Sequence, residues 1–116
     1  MKLEDIKDKL EKATVSVATV TSENKPHSIA IMYAKVNGGK IIITNNYMNS
    51  TIKNLESNPY VSLVFWEGES GWRIDGKVTY FDSGDWLDFV KSLPENDGEP
   101  ARGALVIDIE NVKELG

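Results

Sequence analysis

The chain contains no cysteine, which excludes disulfides, thiolate nucleophiles, iron–sulfur clusters and cysteine-ligated zinc together. It has one histidine, His27, and no serine in a nucleophile-elbow setting, so no catalytic triad can be assembled and no catalytic residue is assigned. Basic residues are outnumbered, 13 Lys and Arg against 18 Asp and Glu, for a net charge of -5. Without a Lys/Arg cluster to replace phosphate counterions, nucleic acid is not an expected partner. The carboxylates are scattered without ligand spacing, so no metal site is expected. Neither a Rossmann glycine fingerprint nor a Walker loop is present. No apolar run reaches membrane-spanning length, and the mixed-charge N-terminus carries no signal-peptide core. No membrane contact and a cytoplasmic location are therefore expected.

What is present describes one domain over residues 1–116, with 41% apolar and 27% charged residues. The core of so short a chain is modest, and a subunit interface or a bound ligand would add stability to it. Leu3, Ile6 and Leu10 recur at helical spacing and predict an amphipathic helix over Leu3–Lys12. From Ala13 the period changes to two. Strands are expected over Thr14–Thr21, His27–Val36, Lys40–Thr44, Tyr60–Trp66, Trp72–Phe81 and Gly103–Glu110. The second would place Ile29, Ile31 and Tyr33 on one face and Ala30, Met32 and Ala34 on the other. Asn37-Gly38-Gly39 signals a tight hairpin, because these residues tolerate positive φ. Helices are expected after Ser50 (Ile52 and Leu55 inward) and after Gly84 (Trp86, Phe89, Val90 and Leu93 inward). Tyr60–Trp66 reads as apolar on both faces, as a strand enclosed on two sides would. Six strands with short connections favour a small closed or partly closed antiparallel barrel, because closure removes exposed edges.

The segment Ile41–Trp66 carries the chemistry. A polar loop, with Thr44, Asn45, Asn46, Asn49, Ser50 and Thr51, opens directly into a helix. The first N–H groups of a helix lack internal partners and the helix dipole favours negative charge there, which is the chemistry of a phosphate pocket. An ordinary capped helix would account for the same spacing. The small face of Ala30, Met32 and Ala34 would let a flat ring approach a strand edge, although sheet packing also uses small residues. Trp66 and Trp72 flank a hairpin, where they could stack on a planar ligand, fill a dimer interface or simply cover the barrel. His27, alone beside Pro26 at a strand entrance, reads as an ordinary surface or core residue rather than a base.

In order and spacing, Pro26-His27 and its long strand, Thr44-Asn45, the Ser50/Thr51 helix start, Asn54-Leu55, Asn58-Pro59, Val61–Trp66, Arg73-Ile74-Asp75-Gly76 and Ala101–Ile107 resemble the pyridoxamine 5'-phosphate oxidase-like FMN-binding split barrels. The small FMN-binding proteins of that family are the nearest in pattern. The resemblance implies a mainly β, α+β fold: a six-stranded antiparallel Greek-key split β-barrel with two or three short helices. It implies a homodimer with FMN in a groove between subunits and an electron-transfer or oxidoreductase role, the redox partner or small-molecule substrate being open. By the same resemblance Ala30, Ile31 and Met32 would lie along the isoalloxazine ring. Thr44 and Asn45 would meet the ring or ribityl chain, and Asn49, Ser50 and Thr51 would hold the phosphate. The family's Ser-Arg-Lys run there is replaced by Asn49-Ser50-Thr51, and Lys53 would supply the missing positive charge. The family oxidases' glutamine before Arg-Ile-(Asp/Glu)-Gly is absent, as is their C-terminal Arg/His segment. Pyridoxamine phosphate oxidation is therefore not expected. Two alternatives stay open: a split barrel that has lost flavin and serves as a binding module, and a reductase using deazaflavin F420.

Overall fold

In the computed structural model, which describes residues 1–115, the period-two segments form seven strands: β1 (Val15–Val20), β2 (Pro26–Ile31), β3 (Ala34–Asn37), β4 (Lys40–Asn45), β5 (Tyr60–Glu67), β6 (Ser70–Phe81) and β7 (Gly103–Leu115). Three helices accompany them: α1 (Lys7–Lys12), α2 (Ser50–Ser57) and α3 (Asp85–Ser92). A 3-10 turn over Leu3–Asp5 precedes α1, so the expected first helix is broken at Ile6.

The expectation of six strands is corrected at Met32-Tyr33. All the strands pair antiparallel, in the spatial order β2-β1-β5-β6-β7-β4-β3. The two strands joined by Met32-Tyr33 thus lie at opposite edges of one curled sheet. A single long strand would keep Ala34 on the face of Ala30 and Met32. Instead Met32 and Tyr33 are both exposed, at 64% and 47%, and Ala34 is fully buried. The alternation slips by one residue there, and such a slip turns every later side chain to the opposite face. The chain leaves one edge at that slip and begins the other, so covalent continuity rather than a hydrogen-bonded ladder brings the edges together. Gly38 and Gly39, at φ 62° and 75°, then make the predicted hairpin between β3 and β4.

Inside the curl, Val15, Val17, Ile41, Ile43, Leu63, Phe65, Ile74, Leu105 and Ile107 are buried. Leu3, Ile6 and Leu10 pack into the same core, as their spacing requires. Trp72 belongs to it as well, 4% exposed, with its ring stacked on Phe65 at 5.2 Å. Of the three readings given for Trp72, covering the barrel is the one realised. A second cluster forms on the outer face, where Trp86, Leu87 and Phe89 of α3 cover Ile42, Ala104 and Val106. β4 is therefore enclosed on both sides at Ile41–Ile43. β5 is not: its pattern alternates, and Trp66 is 57% exposed.

Candidate functional site

The split between the sheet edges opens into a groove of about 620 Å3. This lies within the usual range of about 300–1,000 Å3 for small-molecule sites. On one side stands β2, the end strand of the sheet, whose outer edge has no strand partner. Such an edge presents a row of unpaired N–H and C=O groups. Opposite it, β4 runs past the start of β3: Ala34 pairs with Ile43, leaving Thr44 beyond the β3 ladder. The loop after β4, the first turn of α2 and residues from the Pro94–Arg102 segment complete its lining.

Seven of the nine residues singled out in the sequence line this groove: Ala30, Ile31, Met32, Thr44, Asn49, Ser50 and Thr51. Asn45 and Lys53 do not. Asn45 is 3% exposed, and its side chain is committed to the scaffold. Its Nδ2 donates to the Tyr80 hydroxyl at 2.9 Å, while its Oδ1 accepts from Met48 N–H at 2.8 Å and from Arg102 Nη2 at 3.3 Å. Lys53 lines two neighbouring cavities instead.

The polar loop thus divides by function. Its first half is braced: Asn96 Nδ2 donates to Thr44 Oγ1 and to the Val90 carbonyl, at 2.8 and 2.7 Å, and Asn46 Oδ1 accepts from Ala101 N–H at 2.8 Å. That last bond holds Ala101 at φ 43°, a left-handed conformation unusual for a residue with a side chain. The second half leads into α2, and there the ordinary capped-helix reading fails. No side chain caps α2, and its first turn holds no acidic residue. Its leading N–H groups are therefore free for an anion.

Sequence reasoning missed the lining residues Tyr33, Tyr47, Met48, Glu95, Asn96 and Glu99, and also His27. Lys35 Nζ reaches Glu95 at 2.7 Å, with both side chains mostly buried. Burial alone would raise the Glu95 pKa, but hydrogen bonds from Lys35 and the backbone, with the Lys35 charge, carry it below the ordinary 4.5. The Tyr47 phenol titrates above its ordinary 10.0, because of its hydrogen bond to Glu99, then desolvation, then the Glu99 charge.

A carboxylate whose pKa is depressed by folding contributes stability that is complete above its unfolded pKa and is lost as pH falls through the folded value. Glu95→Gln should therefore lower the melting temperature near pH 7, by an amount corresponding to about 1 kcal/mol. The gap to wild type should close as pH falls below the ordinary 4.5. Thermal unfolding of both proteins from pH 7 to pH 3 measures it; a gap that widens in acid would contradict the pairing.

A family model described as pyridoxamine 5'-phosphate oxidase matches residues 3–116. The uncharacterised protein MJ0282 of Methanocaldococcus jannaschii is 29% identical, over 97% of this chain and 79% of its own length. Pyridoxine/pyridoxamine 5'-phosphate oxidase of Haemophilus influenzae is 33% identical over 70 residues, 59% of this chain and 33% of that enzyme. The chain thus spans about a third of the curated oxidase it matches. Among solved structures, HupZ of Group A Streptococcus superposes with a TM-score of 0.88 at 21% identity, covering 99% of this chain and 94% of that one. An FMN-binding protein of Syntrophomonas wolfei gives 0.75 at 16% identity, covering 98% and 91%. HutZ, the heme storage protein of Vibrio cholerae, gives 0.74 at 18% identity, covering 97% and 94%. At these identities the structural likenesses establish the fold, and no helix among the described residues is long and apolar enough to cross a membrane. With the family model matching almost the whole of a sheet split at Met32-Tyr33, the chain belongs to the pyridoxamine 5'-phosphate oxidase family.

Proposed function

We propose that this protein is an FMN-binding flavoprotein of the cytoplasm, a homodimer that serves in electron transfer or as an oxidoreductase. The observation that carries the reading is the meeting, in one groove, of an unpaired strand edge and an uncapped helix start. The first suits the polar rim of a flat heterocycle and the second suits a phosphate. When bound, FMN supplies one- and two-electron redox chemistry.

The backbone of Ala30, Ile31 and Met32 would orient the ring by hydrogen bonding its rim. Ile29, Ile31, Met48 and the exposed Met32 would keep water from it. Ser50, Thr51 and the leading N–H groups of α2 would hold the phosphate. Thr44 would meet the ring or ribityl chain, and Asn49 the phosphate side. Glu95 and Glu99 in the groove lining weigh against F420, whose acidic tail calls for Lys or Arg along the groove.

The dimer rests on the outer face of the β2-β1-β5 edge. There Ala30, Ser16 and Val64 stand in one row, and Ser28, Ala18 and Ser62 in the next. This flat face of small side chains adjoins the exposed Trp66. A second copy laid on it would enclose β5 on both sides, as the apolar Tyr60–Trp66 run anticipates.

Purified protein is expected to be yellow, to release FMN on denaturation and to elute as a dimer in size-exclusion chromatography. A colourless protein that leaves FMN fluorescence unquenched would replace this reading with a flavin-free binding module. Titration with hemin and with F420 tests the two other cofactor classes directly, and a strict monomer would remove the two-subunit groove.

A further inference from the structure

Among the described residues, the Nδ1 of His27 is buried and has no hydrogen-bond partner. Leaving a buried polar atom unpaired is unfavourable, and the residue that carries this one also lines the groove. His27 and Ser50 are the two residues shared by the main groove and a smaller cavity of about 260 Å3, which is also lined by Thr21, Ser22, Lys53, Asn54 and Ser57. They therefore stand between the two spaces, Ser50 as the first residue of α2 and His27 on β2.

The fold fixes that junction. His27 is the cross-strand partner of Thr19. Asn54 of α2 donates from Nδ2 to the Thr19 hydroxyl at 3.1 Å, and both residues are buried. This bond pins α2 to the strand pair at the level of His27, so the helix start and the imidazole keep a fixed relation. The other titratable side chains on the groove are Tyr33, Tyr47, Glu95 and Glu99, none of which can carry positive charge. His27 is thus the one groove-lining side chain able to be cationic, while Lys53 faces the junction from the smaller cavity.

Resting on the flavin reading above, we infer that His27 is a phosphate-binding residue: its imidazole contacts the cofactor's terminal phosphate at the junction with Ser50. It takes over part of the charge that the Ser-Arg-Lys pattern would have supplied, and Lys53 acts from the other side. Packing alone does not account for it. The neighbouring half-buried positions on the same face of β2 are Ile29 and Ile31, and a third apolar residue would have filled the place without an orphaned nitrogen.

The test compares FMN with riboflavin, which lacks the phosphate, by flavin fluorescence quenching on untagged protein. In wild type FMN should bind more tightly than riboflavin. His27→Ala should weaken FMN by roughly 10- to 100-fold, as loss of a hydrogen bond to a charged group implies. Riboflavin affinity should stay unchanged. Because the chain has one histidine, its imidazole NMR signals need no assignment. They should shift on adding FMN and stay in place with riboflavin, which decides the matter even if the variant fails to fold. Equal losses of FMN and riboflavin, unchanged FMN affinity, or imidazole shifts alike for both ligands would overturn the assignment while leaving the flavin reading intact. Wild-type protein that binds neither ligand would overturn both.

Discussion

Ser50→Asp is expected to strip FMN from the protein while leaving the fold as stable as before, or more so. Ser50 is exposed and is the first residue of α2. The first turn of that helix holds no acidic residue and no side-chain cap. A carboxylate there interacts favourably with the helix dipole, by about 0.3–1 kcal/mol. The same carboxylate would face the phosphate that Ser50 is proposed to hold. Two unit charges about 4 Å apart interact by about 4 kcal/mol at an effective dielectric constant near 20, so FMN affinity should fall by at least roughly 100-fold. Stability and affinity therefore move in opposite directions, which a general loss of structure cannot imitate. Thermal unfolding of the flavin-free protein and quenching titrations with FMN provide the two readouts. Thr51→Asp is the weaker experiment, since Thr51 is 2% exposed and a buried charge would lower stability by itself. If Ser50→Asp binds FMN like wild type, the phosphate lies elsewhere and the helix start plays no part in binding.

Local chemistry made much of this molecule readable before its structure. The two glycines after Asn37 and the apolar spacing of Leu3, Ile6 and Leu10 each act within one turn or hairpin, and each appears where its residues place it. The strand break at Met32-Tyr33 had no such signal. No proline or glycine marks it, every residue from His27 to Val36 tolerates a strand, and the slip is imposed by the need to bury Ala34 at the far edge of the sheet. The site was half legible for a related reason. The sequence showed the concentration of polar groups in the loop after β4. It could not show which of them the scaffold would consume. Thr44 bonds to Asn96, 52 positions away, and Asn46 to Ala101, 55 positions away. Asn45 was assigned to the ligand by the family resemblance, yet its bonds to Tyr80 and Arg102 turn it into a brace. His27 escaped because a lone histidine has no pattern; its significance comes from an unpaired nitrogen and from which cavities meet at it.

That brace can be broken from behind. Gly103 is buried opposite Asn45 in the β4–β7 ladder. A Cβ placed on it would collide with the Tyr80 hydroxyl oxygen and Cζ and would lie only 2.7 Å from Cε1. In Gly103→Ala the Tyr80 ring must swing aside. Overpacking of this kind destabilises by about 1–3 kcal/mol, and the lost bond from Asn45 to the Tyr80 hydroxyl adds about 1 kcal/mol. A loss of about 3 kcal/mol corresponds to a fall of roughly 10–15 °C in melting temperature for a chain of this size. FMN affinity should fall with it, because an Asn45 released from Tyr80 no longer fixes Met48 N–H and the loop that walls the groove. Tyr80→Leu separates the two effects. In that background the added Cβ has no ring to meet, so Gly103→Ala should lower stability by about 1 kcal/mol or less, a coupling well outside the additivity expected of independent sites. Affinity should not recover, since Asn45 lacks its hydroxyl partner in both backgrounds. Stability restored without binding would place the Tyr80–Asn45 bond in the service of the groove. Affinity restored along with stability would mean that Gly103 matters only as a place where the β7 backbone passes a tyrosine ring.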